Sequence, residues 1–176
     1  MRALLWALLA WAVAAGADDA YTIYRADAPP TIDGRLDEAA WTAAPDVGGF
    51  VFPWWEAGAR EQTVAKLLWD DEHLYAAFLC EDAHIWAEHT QRDSAVYRDD
   101  CVEVFVSPDT SDVRQYFNFE FNALGTLLDR SPAHKRSKSW NAAGVQVAVT
   151  IAGTLNDATD ADSLWTTEIA LPFTAF

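Results

Sequence analysis

Hydrophobic and polar residues alternate with a period of two along most of the chain, and this pattern predicts β-strands. Polar clusters or prolines bound these runs, as residues 70–73 do between the first two and Pro108 and Pro172 do after two others. The runs cover residues 63–69, 74–80, 101–107, 114–121, 126–129, 145–152 and 164–171.

Helix is scarce by the same criterion. One short helix is expected over residues 36–43, with Trp41 facing inward. A parallel α/β fold would need crossover helices between the strands, and the sequence offers none. We therefore predict an all-β protein, an antiparallel and jelly-roll-like β-sandwich with one short helix near its N-terminus.

The first residues predict a targeting segment instead of a part of the fold. Met1 and Arg2 give a positive start, residues 3–15 are apolar, and Ala15 and Ala17 supply the small residues of a cleavage site. This order is typical of a secretory signal peptide over residues 1–17, cleaved before Asp18. An uncleaved anchor is the other interpretation. We expect a secreted or periplasmic protein whose mature domain, residues 18–176, has no membrane contact after cleavage.

Composition limits the possible partners. The chain has 176 residues and 51% hydrophobic content, which suits one globular domain. Its 27 Asp and Glu against 12 Lys and Arg give a formal net charge of −15. Such a surface repels phosphate backbones, so nucleic acid is not an expected partner. Nine Trp exceed the needs of one core, which favours exposed aromatic contacts at a binding surface.

One strand-like segment carries a candidate binding face. In residues 114–122, alternation places three Phe on the core side and Tyr116, Asn118, Glu120 and Asn122 on the other. Amides and carboxylates bind hydroxyl groups, and aromatic rings cover the C–H faces of sugars. Glu103, beside Phe105 on another strand, is expected to be partly shielded. The alternative for both strands is an ordinary solvated face.

Five motifs occur in a fixed order along the chain. They are Ile32-Asp33-Gly34-x-Leu36-Asp37-Glu38-x-x-Trp41, Val64-x-x-Leu67-x-Trp69-Asp70-x-x-x-Leu74-Tyr75, Asp99-Asp100-x-Val102-Glu103-Val104-Phe105, Phe119-x-Phe121-Asn122-x-x-Gly125 and Trp165-x-x-Glu168-Ile169-Ala170-Leu171-Pro172-Phe173. This series resembles the family-9 carbohydrate-binding modules over about residues 30–176. The resemblance implies a β-sandwich that binds sugars and holds structural calcium.

The resemblance also implies roles for single residues. Tyr97 takes the place of an aromatic residue that stacks on sugar, and Glu103 that of a hydrogen-bonding carboxylate. Glu120 stands where the family pattern has an Arg. A second stacking Trp of the pattern would follow Phe176, so the domain is expected to be incomplete at its C-terminus. The predicted sugar-binding residues are Tyr97, Glu103, Glu120, Asn122, Asn118 and Trp86.

Three functions from different classes follow. The first is an exported, non-catalytic module that binds mono-, oligo- or polysaccharides, in a setting of polysaccharide degradation. The second is a structural or protein-interaction sandwich without a sugar ligand. The third is a glycan-hydrolysing domain that uses Glu103 and Glu120 as its carboxylate pair.

Candidate cofactors and cross-links are few. Cys80 and Cys101 could form a disulfide or remain two small buried thiols. The acidic loops 70–72 and 157–162 are candidate structural calcium sites, with hydrated loops as the alternative. Haem is not expected, because the single Met is Met1 and no Cys-x-x-Cys-His motif occurs. No nucleotide cofactor is expected either.

Overall fold

The computed structural model describes residues 20–53, 55–58, 60–134 and 139–176. The predicted signal peptide, its cleavage before Asp18 and the side chain of Trp54 lie outside these ranges. Within the described part of the chain, no helix combines the length and the apolar character needed to cross a bilayer.

The described residues form β-strands with very little helix. A short α-helix, α1, spans Ala39–Ala43, and three single turns of 3-10 helix lie elsewhere. The strands are β1 (Tyr24–Arg25), β2 (Thr63–Trp69), β3 (His73–Glu81), β4 (Cys101–Val106), β5 (Phe117–Asn122), β6 (Leu127–Arg130), β7 (Gln146–Ala152) and β8 (Leu164–Pro172).

Two sheets make the sandwich. The larger sheet has the strand order β1-β2-β3-β8-β7, and the smaller one has the order β4-β5-β6. Neighbouring strands pair antiparallel except for the two-residue β1, which is parallel to β2. The predicted antiparallel β-sandwich is therefore confirmed.

The main core lies between the two sheets. Alternate residues of the central strands point into it, among them Phe78 on β3, Phe119 and Phe121 on β5, and Ile169 on β8. Phe119, Phe121 and Ile169 are fully buried. This inward set leaves the opposite side chains of β4 and β5 on the outer face of the smaller sheet.

A second, smaller core covers the other face of the larger sheet. Trp41 of α1 packs there with Leu68, Tyr75 and Ala77. Tyr75, Ala76, Ala77 and Phe78 of β3 are consequently all buried, because both faces of this strand are covered. The predicted inward position of Trp41 is confirmed.

The structure changes some predicted boundaries. The helix begins at Ala39 instead of Leu36, and its N-cap residue Glu38 makes no side-chain capping hydrogen bond. The strand predicted from Arg114 begins at Phe117, because the Gln115 N–H donates to the Asp112 carbonyl in a turn just before it.

Cys80 and Cys101 lie on β3 and β4, in different sheets, so their strands do not pair with each other. Both are free thiols in the structure. The disulfide alternative is thus absent from this arrangement.

Candidate functional site

The candidate site lies on the outer face of β4, β5 and β6. Residues directly opposite one another in an antiparallel pair project from the same face. One row across the sheet is Glu103, Glu120 and Leu128, and the next is Phe105, Asn118 and Arg130. The register therefore places two carboxylates side by side and an amide between an aromatic ring and a guanidinium.

A pocket of about 250 Å³ opens on this face. We call it the outer-face pocket, and its lining residues are Phe105, Tyr116, Asn118, Glu120 and Arg130. The rings of Phe105 and Tyr116 meet edge to face, with centroids 5.3 Å apart. They form an apolar wall beside polar groups, which suits a ligand with both C–H and hydroxyl surfaces.

Two polar side chains of the pocket are buried without hydrogen-bond partners. Asn118 is 5% exposed and Glu120 is 9% exposed. Asn118 Nδ2 and Glu120 Oε2 have no partner of good hydrogen-bond geometry, although the Asn118 amide lies near enough to Glu103 to lower the pKa of that carboxyl somewhat. A donor and an acceptor left unpaired at one pocket are costly for the fold and available to a ligand.

The carboxylate pair has unusual electrostatics. Burial, followed by the charge of Glu103, raises the pKa of Glu120 to about 7, although Arg130 acts in the opposite direction. Partial desolvation also raises the pKa of Glu103, although its side chain is exposed at the surface of the sheet and not shielded as predicted. Two like charges opposed in a sheet repel each other. The pair therefore favours a shared proton or a positive partner.

The predicted aromatic contacts are exposed but lie outside this pocket lining. Tyr97 is 56% exposed, on the 3-10 turn Val96–Arg98 just before β4. Trp86 is 40% exposed, and its backbone exchanges two hydrogen bonds with Asp100. Both rings are accessible, and both precede the strand that carries Glu103.

Asn122 has a structural position. It is fully buried, and its Nδ2 donates to the His89 carbonyl at 2.8 Å and to Asp99 Oδ2 at 2.7 Å. Its Oδ1 accepts from the N–H groups of Leu124 and Thr126. Since the whole amide is used, we leave Asn122 out of the proposed ligand contacts.

The Asn122 amide instead fixes the segment before β4. Asp99 accepts from Asn122, from the His89 backbone N–H at 3.0 Å, and contacts the His89 ring at 2.9 Å. Burial alone would raise the pKa of Asp99, but these hydrogen bonds hold it below its ordinary value. The network anchors the segment that carries Trp86 and Tyr97.

A larger cavity of about 640 Å³ opens beside β4, the outer strand of the smaller sheet. We call it the β4-edge groove. It reaches down to core residues and includes both thiols, Cys80 and Cys101. Arg60 lies over the rings of Phe52 and Trp55 at its rim, 5.5 Å from each centroid.

Carboxylates line the same groove. Burial, together with Asp82 and Glu61, raises the pKa of Asp100 to about 6, against the effect of a hydrogen bond from the Trp86 N–H. Burial also raises the pKa of each thiol, Cys80 and Cys101, to about 12. These thiols are therefore protonated and weakly nucleophilic.

The acidic loops considered for calcium use their oxygens within the protein. Asp70 accepts from the N–H groups of Glu72 and His73 and from the Tyr75 hydroxyl. Asp162 accepts from the N–H groups of Thr154 and Ile85. In the described ranges, no three His, Cys, Asp or Glu side chains come together as a metal-binding group. Bound structural calcium at these loops stays a prediction.

Arg130 is the pocket residue that the sequence interpretation missed. It falls one position after the predicted strand 126–129, yet it pairs with Asn118 in the register. Only the β5–β6 register reveals that contact, and a single sequence does not state the register. Phe105 and Tyr116 were noted on the outer face but not assigned to the site.

Together these features define a class: a two-sheet β-sandwich with an aromatic and polar face on its smaller sheet. The chain belongs to carbohydrate-binding family 9, which matches residues 51–176. The predicted family resemblance is thus confirmed. No curated protein matches the chain.

Solved structures share the fold. A family-9 module from Caldicellulosiruptor kristjanssonii in complex with cellotriose has a TM-score of 0.55 at 17% identity, over 85% of this chain and 66% of that one. The same kind of module in complex with glucose has a TM-score of 0.53 at 17% identity, over 86% and 69%.

A protein from Bacteroides uniformis, described as a candidate for carbohydrate binding, has a TM-score of 0.54 at 22% identity. It is matched over 67% of this chain and 55% of its own length. The chain thus spans 55% to 69% of the length of these three solved structures.

Proposed function

We propose that the outer face of β4, β5 and β6 binds saccharides without catalysing their cleavage. The observation that carries the proposal is the pair of buried, unpartnered atoms, Asn118 Nδ2 and Glu120 Oε2, at one pocket. Sugar hydroxyls both donate and accept, so one ligand can satisfy both atoms. The Phe105 and Tyr116 rings supply the apolar wall.

Family membership supports the same ligand class. The solved family-9 modules are in complex with cellotriose and glucose. In this proposal, Tyr97 and Trp86 add exposed rings on the segment before β4, and Glu103 and Glu120 add acceptors. Which sugar is preferred depends on how this face differs from its relatives, above all at Glu120.

The placement of the carboxylates favours binding over hydrolysis. Glycosidase carboxylates flank the scissile bond, one on each side of the sugar. Glu103 and Glu120 are neighbours in one row of one sheet, so both contact a ligand from the same side. Release of reducing ends from an oligosaccharide, lost in Glu120→Gln, would overturn this conclusion.

Calorimetry with glucose, cellotriose and longer oligosaccharides tests the proposal. Tyr97→Ala should weaken binding through loss of a stacking ring, and Glu103→Gln should weaken it by about 1.5–3 kcal/mol, as for charge-assisted hydrogen bonds. Tyr24→Ala is the matched control, because Tyr24 is 55% exposed on the other sheet. Glu72→Gln, in the β2–β3 turn, is the control for Glu103→Gln.

Two outcomes contradict the proposal. If the folded protein binds no mono-, oligo- or polysaccharide, the structural or protein-interaction alternative replaces it. If Tyr97→Ala, Glu103→Gln and Asn118→Ala all bind as well as the unaltered protein, the site is elsewhere.

We also propose that the protein is exported and acts where polysaccharides are degraded. The support is the order of charged, apolar and small residues in positions 1–17. N-terminal analysis of protein recovered outside the cytoplasm should begin at Asp18. Recovery of the exported protein with Met1 intact would contradict the cleavage.

A further inference from the structure

The row Glu103–Glu120 is the least expected feature of the outer face. These residues are directly opposite on β4 and β5, where two like charges destabilise a sheet. Leu128, on the far side of Glu120, is almost fully buried and offers no compensating charge. The fold therefore holds a repulsive pair at the candidate site with no partner from the same row.

Two buried polar atoms at the carboxylate pair point to a ligand. Asn118, in the neighbouring row on β5, is 5% exposed, and its Nδ2 has no partner of good hydrogen-bond geometry. Glu120 Oε2 is likewise unpartnered, on a side chain that is 9% exposed. An uncharged amide and a carboxylate, both buried and unsatisfied at one pocket, call for a ligand with donors and acceptors.

The negative charge of the Glu103–Glu120 pair limits the class of ligand. A hydroxyl group could donate to Glu120 Oε2, but it would leave the repulsion between the two carboxylates in place. An ammonium group has three donors and a positive charge, so it can satisfy Oε2 and offset the repulsion together. Arg130 lies on β6 opposite Asn118, diagonal to Glu120, and its charge does not outweigh burial and the charge of Glu103, which together still raise the pKa of Glu120.

We propose that the outer-face pocket selects amine-bearing saccharides. The ammonium group of a glucosamine unit lies at the edge of the pocket, between Glu120, which lines it, and Glu103, which is opposite Glu120 on β4 and lines the neighbouring β4-edge groove. The sugar ring then lies against Phe105 and Tyr116, and a ring hydroxyl accepts from Asn118 Nδ2. This inference rests on the proposed function, because it names the ligand class of the same site.

Three tetramers of equal length and β-1,4 linkage test it: glucosamine, N-acetylglucosamine and glucose. Titrations at about pH 6.5 in moderate salt and with EDTA keep much of the amine charged and remove stray metal ions. The bound ammonium then lowers the pKa of Glu120, which is about 7 in the free protein, so that Glu120 gives up its proton on binding. The glucosamine tetramer should bind at least about tenfold more tightly than the two uncharged tetramers. This factor is the lower limit for a charge-assisted hydrogen bond.

Substitutions separate the pocket from the general acidity of the protein. Glu120→Gln and Glu103→Gln should each abolish the preference, so that the variant binds the glucosamine tetramer no more tightly than it binds the uncharged tetramers. Glu72→Gln changes the net charge by the same amount on the other sheet and should leave the preference intact. Tetralysine should compete poorly, because it has no sugar ring for the aromatic wall.

Each contrary result has a distinct meaning. Equal binding of all three tetramers overturns the amine preference and leaves the proposed function standing. Binding of none of them overturns the proposed function itself. If Glu72→Gln loses the preference for glucosamine as fully as Glu120→Gln does, or if tetralysine binds as tightly as the glucosamine tetramer, the attraction is nonspecific and comes from the acidic surface. Either result also overturns the inference.

Discussion

The indole nitrogen of Trp41 donates to Glu168 Oε1 at 2.6 Å, joining two residues that are fully buried and 127 positions apart. The other carboxylate oxygen, Oε2, accepts from the N–H groups of Asp33 at 3.0 Å and Gly34 at 2.8 Å. One carboxylate of β8 thus ties the N-terminal segment and α1 to the larger sheet. Two of the motifs that resemble the family meet in this network.

Trp41→Phe should destabilise the fold by about 1.5–3 kcal/mol, because it removes a hydrogen bond to a buried charged group and leaves Glu168 Oε1 without a donor. Trp69→Phe is the matched control. Trp69 is 36% exposed and its Nε1 donates to the Ile23 carbonyl at 3.2 Å, so the loss should be about 1 kcal/mol or less. Urea unfolding of both variants measures the two losses in free energy of unfolding. Equal losses would contradict a special role of the Trp41–Glu168 bond.

Strand positions could be predicted from sequence far better than this network. Thr63–Trp69 is a mostly apolar run that is followed by a polar turn, and both of its ends were predicted correctly. The hydrogen bond between Trp41 and Glu168 was not predictable, since the sequence around either residue does not indicate the other as its partner. The helix start at Ala39 was missed for a local reason, namely the lack of a side-chain cap at Glu38.

The candidate site was predictable in part. Alternation correctly placed Asn118 and Glu120 on the face opposite the Phe core. It also placed Asn122 there, but alternation does not reveal that a turn uses the whole amide. Arg130 depends on the β5–β6 register, which long-range packing sets.

Gly34→Ala should strongly destabilise the protein. Gly34 has φ +86°, and an added Cβ would lie 2.9 Å from the Val149 carbonyl carbon. Its carbonyl also accepts from the hydroxyls of Thr150 and Thr166, so the backbone cannot move away freely. We expect a loss of about 2–4 kcal/mol from strain and lost hydrogen bonds.

Gly49→Ala is the control for that substitution, because nothing lies within 4 Å of its added Cβ. It should change the free energy of unfolding by less than about 0.5 kcal/mol. Thermal and urea unfolding measure the stability of both variants. A Gly34→Ala protein as stable as the Gly49→Ala protein would contradict the close packing of the N-terminal segment on β7.

Cys80 and Cys101 should both titrate as thiols in denaturant without reductant. In the folded protein at neutral pH they should react slowly with a thiol reagent, because burial raises each pKa to about 12. Time courses with and without denaturant check both statements. Absence of titratable thiols in denaturant would show that the protein forms the disulfide instead.

The last prediction concerns the pH dependence of stability at the carboxylate pair. Burial and Glu103 raise the pKa of Glu120 to about 7 in the folded protein, from its ordinary value of 4.5. The groups that face it are Glu103 on β4, Arg130 on β6 and the Cys101 thiol. A carboxyl whose pKa is higher in the folded state binds its proton more tightly there. Its contribution to stability is therefore present at low pH and lost as pH rises from about 4.5 to about 7.

Glu120→Gln removes this titration and keeps the shape of the side chain. Relative to the unaltered protein, the variant should gain about 1–3 kcal/mol in free energy of unfolding between pH 4.5 and pH 7.5, with little change above that range. Glu72→Gln, in the exposed β2–β3 turn, should show no such gain. Urea unfolding at several pH values measures the difference directly. A difference that stays constant with pH, or that shrinks as pH rises, would show that Glu120 is ionised across the range and that Glu103 does not oppose it.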